Sequence, residues 1–362
     1  MSITARDETY MREAIALSLT HLGQTGPNPS VGCIIVRNDE IVGRGVTARG
    51  GRPHAEPQAI AEAGEKARGA TAYVTLEPCS HHGKTPPCAH ALIRAGIARV
   101  VVAVADPDPR VSGQGLKILA DADIEVTIGI LQKEARQALA GYLMRQTRGR
   151  PQVTLKLAVS RDGMLGATGA GQIRITGQEA RDEVHRLRAS SDAILVGIGT
   201  AMADDPELTV RLPGLEHASP LRIVLDRRAE LSPGSKLALS ANEVPVILAV
   251  SRGAVGNRAA LAAMGVEVME IDGIEDLLAA LAQRGISSLM VEGGARVAAD
   301  LLARGHVDGI HLFSGEGTVG AGGIPSPLLP GRVPAGFALI DEQNFGRDRR
   351  QIFERLPASA WI

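Results

Sequence analysis

Three side chains that bind soft metals, and one carboxylate beside them, stand in a tight order early in the chain: His54-Ala-Glu56, then Pro78-Cys79, then Cys88. One imidazole and two thiolates hold zinc while leaving a fourth position open to water, the arrangement of catalytic rather than structural sites. A zinc ion so held brings the pKa of water to roughly 7, so hydroxide exists at cellular pH. Glu56 is not itself a ligand and lies two residues beyond the imidazole, placed to carry protons between water and a leaving group. A purely structural site would call for four protein ligands, and the set offers three.

The order H-x-E, P-C, C follows the pattern of zinc-dependent deaminases of nucleobases. It departs in one respect, with eight residues rather than two between the thiols. The insert, Ser80-His-His-Gly-Lys-Thr-Pro-Pro87, carries two histidines and Lys84 beside a glycine, a set suited to an anionic substrate group. The third cysteine, Cys33, falls within an expected strand and reads as packing. In the second half, Val196-Gly-Ile-Gly-Thr200 and Val291-Glu-Gly-Gly-Ala-Arg296 put glycines between a strand and a helix. Exposed amides and the helix dipole there suit a pyrophosphate. Neither stretch is a GxGxxG fingerprint, so a standard Rossmann domain is not expected.

These residues need elements to hold them. Thr4-Ala-Arg-Asp7 reads as a capping box before helical spacing at Met11, Ile15, Leu19 and Leu22. A hairpin follows, Val31–Arg37 and Ile41–Arg44, turning at Asn38-Asp39. Strands Ala72–Leu76, Val100–Ala105 and Ile124–Ile128 then alternate with helices His54–Ala63, Pro87–Ala95, Leu116–Ala122 and Gln132–Met144. Two of these helices begin at or near His54 and Cys88, where the dipole favours thiolate. The fold class expected is α/β, a mixed sheet with helices on both faces. Gln146–Pro151 reads as a linker, dividing the chain into domains 1–147 and 151–362. Beyond it, strands are expected at Val153–Ala158, Ala193–Val196, Leu221–Leu225, Val246–Val250, Val266–Glu270 and Leu289–Val291. A capping box at Thr176-Gly-Gln-Glu179 opens a helix to about Arg188, and Phe337–Ile340 and Gln351–Leu356 close the chain as antiparallel strands.

Bulk properties narrow the class. The 362 residues exceed what a single core usually supports. A net charge of −1 and 2% aromatic content argue against nucleic-acid binding, which calls for a basic face and stacking rings. No apolar run approaches the length of a membrane span, and the N-terminus lacks a signal-peptide core. Three cysteines make no disulfide framework, so the cytosol is the expected compartment.

Thr25-Gly-Pro-Asn-Pro-Ser-Val-Gly32, His54-Ala-Glu56 and Leu76-Glu-Pro-Cys-Ser-His-His-Gly-Lys-Thr-Pro-Pro-Cys88 closely resemble the bifunctional deaminase/reductase family of riboflavin biosynthesis. In the second half, Leu155–Gly163, Ala203-Asp-Asp-Pro206, Leu208-Thr-Val-Arg211 and Val291-Glu-Gly-Gly294 resemble its reductase part. The resemblance implies a cytidine-deaminase-like domain followed by a dihydrofolate-reductase-like one, with Zn2+ and NADPH as cofactors. It implies deamination of 2,5-diamino-6-(5-phosphoribosylamino)pyrimidin-4-one, then reduction of the ribosyl to a ribityl group. It places Asn28 on the pyrimidine and His81, Lys84 and Asp106 on the ribose phosphate. In the reductase, Gln172, Arg188, Leu208, Arg211 and Glu292 line the substrate. Ala158, Arg174, Thr200, Asp204, Gly294, Ala295, Arg296, Val297 and Ala298 line the cofactor. Lys156 and Asp204 stand near the transferred hydride, and assembly as a homo-oligomer is expected.

This chain departs from the family pattern at several positions. Thr47 stands for a histidine and Asp108 for an asparagine, with Arg49, Arg52 or Arg110 as candidates to compensate. Gln172 and Arg174 replace a serine and a tryptophan, and Leu312–Gly320 lacks the family's proline. Three other readings are open on the residues alone: a deaminase with a silent second domain, a nucleic-acid-editing deaminase, and a non-catalytic zinc scaffold.

Overall fold

The computed structural model describes residues 5–81, 86–109 and 111–356. Thr4, Lys84 and Arg110 lie outside them, and with them the expected capping role, phosphate contact and compensating charge. The chain divides into two compact units, Met1–Arg150 with Ala282–Ser287, and Pro151–Leu281 with Ser288–Ile362.

The first unit runs α1 (Ala5–Leu19), β1 (Gly32–Arg37), β2 (Glu40–Val46), α2 (Ala55–Ala63), β3 (Thr71–Leu76), α3 (Cys88–Arg94), β4 (Arg99–Val104), α4 (Gln114–Ala120), β5 (Glu125–Ile128), α5 (Gln132–Ala138) and α6 (Ala140–Arg148). Its sheet has the order β2-β1-β3-β4-β5. The β1–β2 and β1–β3 pairs are antiparallel, while β3–β4 and β4–β5 are parallel. Helices cover both faces. A side chain at Gly32 would meet the backbone of Ala14 in α1, whereas Gly45, which pairs with the next residue Cys33, lies against Ala55 in α2. Adjacent strand residues point to opposite faces, so the two helices sit on opposite sides. The strands β3 and β4 are buried along nearly their whole length, as expected for parallel strands covered twice.

Three local expectations differ from what the chain adopts. Leu22 lies beyond the end of α1. The helix expected over Gln132–Met144 is two helices, because Leu139 leaves helical geometry at φ −96° and ψ 6°. Leu139, Tyr142 and Leu143 are all buried, and this burial sets the turn where local propensity would run straight on. The helical part of the linker region extends to Arg148, and Gly149 then ends it in a left-handed conformation.

The second unit runs β6 (Gln152–Val159), β7 (Met164–Ala167), α7 (Gln178–Ala189), β8 (Ala193–Gly197), α8 (Ile198–Asp204), β9 (Leu221–Leu225), α9 (Lys236–Leu239), β10 (Val246–Ser251), α10 (Arg258–Ala263), β11 (Glu267–Ile271), α11 (Ile274–Gln283), β12 (Ser288–Glu292), α12 (Ala295–Ala303), β13 (Gly309–Ser314), β14 (Gly323–Pro325), β15 (Phe337–Phe345) and β16 (Asp348–Arg355). The main sheet has the order β11-β10-β9-β8-β12-β6-β13-β16-β15, parallel as far as β13 and closed by an antiparallel β16–β15 hairpin. The loops after β8, β12 and β6 therefore leave the same edge of the sheet, where open α/β sheets bind ligands. The capping box expected at Thr176 is not formed: Gly177 is the N-cap and makes no side-chain cap. Its amide donates instead to Asp348 Oδ2 at 2.6 Å, a partner supplied by β16. Among the described residues, no helix is long and apolar enough to cross a membrane.

Candidate metal centre and reductase site

The first site is assembled at the ends of three elements. His54 is the N-cap of α2, and Glu56 lies in the first turn of the same helix. Cys79 follows the end of β3 by three residues, and Cys88 opens α3. One ligand atom from each of His54, Cys79 and Cys88 lies within 4.8 Å of the others. His54 Nδ1 stands 3.7 Å from Cys79 Sγ and 3.4 Å from Cys88 Sγ, so this nitrogen faces the sulfurs. These soft donors in this number fit zinc with an open position. A hydrogen bond from Cys88, then one from His54, holds the Cys79 thiol down to about 4, while the same sulfur pair drives Cys88 up. Glu56 is buried, and that burial, with the Cys79 charge, raises its carboxyl above the usual range.

The surrounding residues fall into place unevenly. Asn28 donates from Nδ2 to the carbonyl of Gly51 at 3.0 Å, which docks its turn on the segment leading to His54. His81 is half-buried, and its buried Nδ1 has no hydrogen-bond partner among the described residues. Asp106 is buried, and its carboxylate accepts from the Asp108 amide and the Tyr142 hydroxyl, both at 2.9 Å. Thr47 is buried; its Oγ1 accepts from the Val31 amide and its carbonyl faces His21 Nδ1 at 2.8 Å. Arg49 is exposed, and Arg52 lies near enough to His54 to oppose its protonation. Two residues to which the sequence reading assigned no role emerge, Glu77 and Tyr142. Glu77 was legible only as part of the Leu76–Cys88 stretch; its carboxylate is buried and, among the described residues, accepts from backbone amides.

The second unit brings together Lys156, Arg188 and Glu292. Glu292 and Lys156 are register partners on β12 and β6, with Lys156 Nζ 3.8 Å from Glu292 Oε2. Arg188, from α7, grips the same carboxylate through Nε at 2.5 Å and Nη2 at 2.9 Å, and donates to the Thr209 carbonyl. Burial pushes the Glu292 carboxyl up, but Arg188 and Lys156 outweigh it and bring it to about 2. Burial lowers the ammonium pKa of Lys156. Leu208 is buried with φ +58°, whereas Arg211 is exposed and pairs with Glu207.

Beside this cluster, β8 ends at Gly197 and α8 follows, carrying Thr200 and, at its last residue, the half-buried Asp204. Gly293 and Gly294 precede α12 with φ +78° and +79°. A Cβ on Gly294 would stand 3.1 Å from Thr200 Oγ1, so these glycines leave a cradle that side chains would fill. Of the residues that follow, Ala298 is buried, Arg296 is exposed, and Ala295 and Val297 are half-buried, as is Ala158 at the end of β6. Gln172 and Arg174 lie exposed in the coil between β7 and α7.

Residues 4–104 match the cytidine and deoxycytidylate deaminase zinc-binding region, and residues 151–341 match the RibD C-terminal domain. The riboflavin biosynthesis protein RibD of Aquifex aeolicus is 42% identical over 320 residues, covering 87% of this chain and 88% of its own length. That of Escherichia coli is 40% identical over 340 residues, covering 90% and 92%. The solved structure of Acinetobacter baumannii RibD superposes with a TM-score of 0.87 at 37% identity, covering 97% of this chain and 99% of the other. A Thermotoga maritima structure described as a diaminohydroxyphosphoribosylaminopyrimidine deaminase/5-amino-6-(5-phosphoribosylamino)uracil reductase has a TM-score of 0.86 at 34% identity, with coverage of 97% and 99%. A zinc-ligand triad with its carboxylate ahead of a reductase unit, in a chain matched along most of its length, makes this protein a member of the RibD family of bifunctional riboflavin-biosynthesis deaminase/reductases.

Proposed function

We propose that residues 1–147 deaminate 2,5-diamino-6-(5-phosphoribosylamino)pyrimidin-4-one and that residues 151–362 reduce the product with NADPH. The observation that carries the first step is the convergence of His54, Cys79 and Cys88 with buried Glu56 in the first turn of α2. When bound there, zinc supplies the Lewis acidity that makes water nucleophilic near neutral pH. Glu56 takes a proton from the attacking water and returns it to the departing amino group, so that water enters and ammonia leaves. Asn28 holds the pyrimidine, and His81, Lys84 and Asp106 address the ribose phosphate.

For the reduction, the glycine cradle at Gly293-Gly294 and the start of α12 offer backbone amides to a pyrophosphate, with Thr200 beside the cradle and Asp204 at the end of the same helix as Thr200. NADPH, when bound, supplies a hydride. Lys156 donates a proton to the opened imine, and its lowered pKa eases that transfer. Glu292 keeps the ammonium and Arg188 paired. The relationship to RibD proteins across most of the chain disfavours a silent second domain and a nucleic-acid-editing role. The decisive experiment incubates purified protein with the diaminopyrimidine ribotide, with and without NADPH, and identifies products by mass. Loss of the amino group without NADPH, and gain of two hydrogens only with it, supports both halves; no ammonia release rejects the deaminase reading.

A further inference from the structure

The structure assigns to Glu77 the role of positioning residue for the deaminase site, tying the strand end that delivers Cys79 to the loop that delivers Asp106. Glu77 lies just past β3, its amide bonded to the Val104 carbonyl of the neighbouring β4 at 2.9 Å. Its side chain is 3% exposed and accepts from four backbone amides of the segment after β4. Oε2 receives Asp106 N at 3.2 Å and Gly113 N at 3.1 Å. Oε1 receives Gly115 N at 3.0 Å and Leu116 N at 3.4 Å.

These contacts close the loop at both ends. One amide belongs to Asp106 at the loop's start, and the other three belong to the start of α4 at its finish. Inside the loop, Asp106 accepts from the Asp108 amide and from Tyr142, which braces it from α6. The metal arm is fastened at the same point. A Cβ on Gly115 would lie 2.0 Å from the carbonyl oxygen of Pro78, so α4 rests directly on the residue before Cys79. Any shift of this loop is thus a shift relative to the zinc ligands.

A carboxylate rather than a carboxamide suits this position. It offers acceptors on both oxygens to four converging donors, whereas a carboxamide turns one of them into a donor facing two amides. Buried amides left without acceptors open the loop. The role is specific to substrate placement and rests on the reading above that Asp106 addresses the ribose phosphate.

The test compares Glu77→Gln, Glu77→Asp and Asp106→Ala in the full zinc-loaded chain. Zinc content is measured, with deaminase kinetics on the ribotide and on its dephosphorylated form, and hydrogen exchange at residues 106–116. Glu77→Gln is expected to keep one zinc per chain, to exchange faster over 106–116, and to raise KM for the ribotide roughly tenfold with a smaller change in kcat. The dephosphorylated substrate, lacking the group the loop addresses, should show little of that rise. Glu77→Asp keeps the charge with a shorter reach and should fall between, which also covers the case in which the glutamine variant does not fold. If both Glu77 variants leave KM unchanged while Asp106→Ala raises it, or if zinc is lost with exchange over 106–116 unaltered, the assignment to Glu77 is wrong. If Asp106→Ala leaves KM unchanged but Glu77→Gln speeds exchange and raises KM, the positioning role stands and the reading of Asp106 falls.

Discussion

The backbone amide of Cys88 donates to the sulfur of Cys79 at 3.3 Å, so the residue that opens α3 supplies one sulfur and hydrogen-bonds the other. Cys79 stands three residues past the end of β3, Cys88 opens α3, and the Ala89 amide also donates to the Cys79 carbonyl, at 3.3 Å.

From this geometry the protein is expected to hold one zinc per chain, with bonds of about 2.0 Å to His54 and about 2.3 Å to the sulfurs. Cys88→Ser should lower zinc occupancy well below one, and His54→Ala should do the same. Elemental analysis after dialysis against a chelator checks this; full zinc retention in both variants would remove the triad as the metal site.

Glu56→Gln is expected to retain zinc and fold yet lose deamination by about 10²–10⁴-fold, since the carboxamide matches the shape and cannot carry a proton. Ammonia release under saturating ribotide measures it. A loss below tenfold would move the proton shuttle to another group.

Glu292 makes a pH-dependent contribution in the second unit. Its folded carboxyl sits at about 2 against an ordinary value of 4.5, so its stabilisation is complete above about pH 4.5 and fades as pH falls towards 2. Glu292→Gln, which leaves Arg188 and Lys156 without their carboxylate, should cost about 3 kcal/mol at pH 7. The gap between parent and variant should narrow by about 2 kcal/mol by pH 3. Urea midpoints at the two pH values decide it, and a gap that does not change with pH would mean the carboxylate is not the source.

Gly294→Ala tests the cofactor cradle. With φ at +79° and Thr200 Oγ1 only 3.1 Å from the new methyl, the backbone must shift where a pyrophosphate would lie. NADPH affinity should fall roughly tenfold, with deamination unaffected. Fluorescence titration of the full chain reads the first and ammonia release the second; unchanged NADPH binding would place the cofactor elsewhere.

Much of this protein is written locally. Few residue types bind zinc and shuttle protons, so the order His54, Glu56, Cys79, Cys88 named its chemistry from type and spacing alone. Buried parallel strands such as Val100–Val104 are apolar runs, and glycines at strand ends mark close backbone approach, so β4 and the Gly293-Gly294 turn were equally legible. What the sequence leaves open is every partnership between residues far apart in the chain. The amide of Gly177 is satisfied by Asp348, 171 positions away, and so the local capping box at Thr176 goes unused. Glu77 meets amides 29 to 39 residues downstream, and Arg188 meets Glu292 across 104. A carboxylate has the same local appearance whether it faces water or four amides. Only the packing of β3 against β4, and of α7 over β12 and β6, decides which donors reach it, because burial removes water as the competing partner.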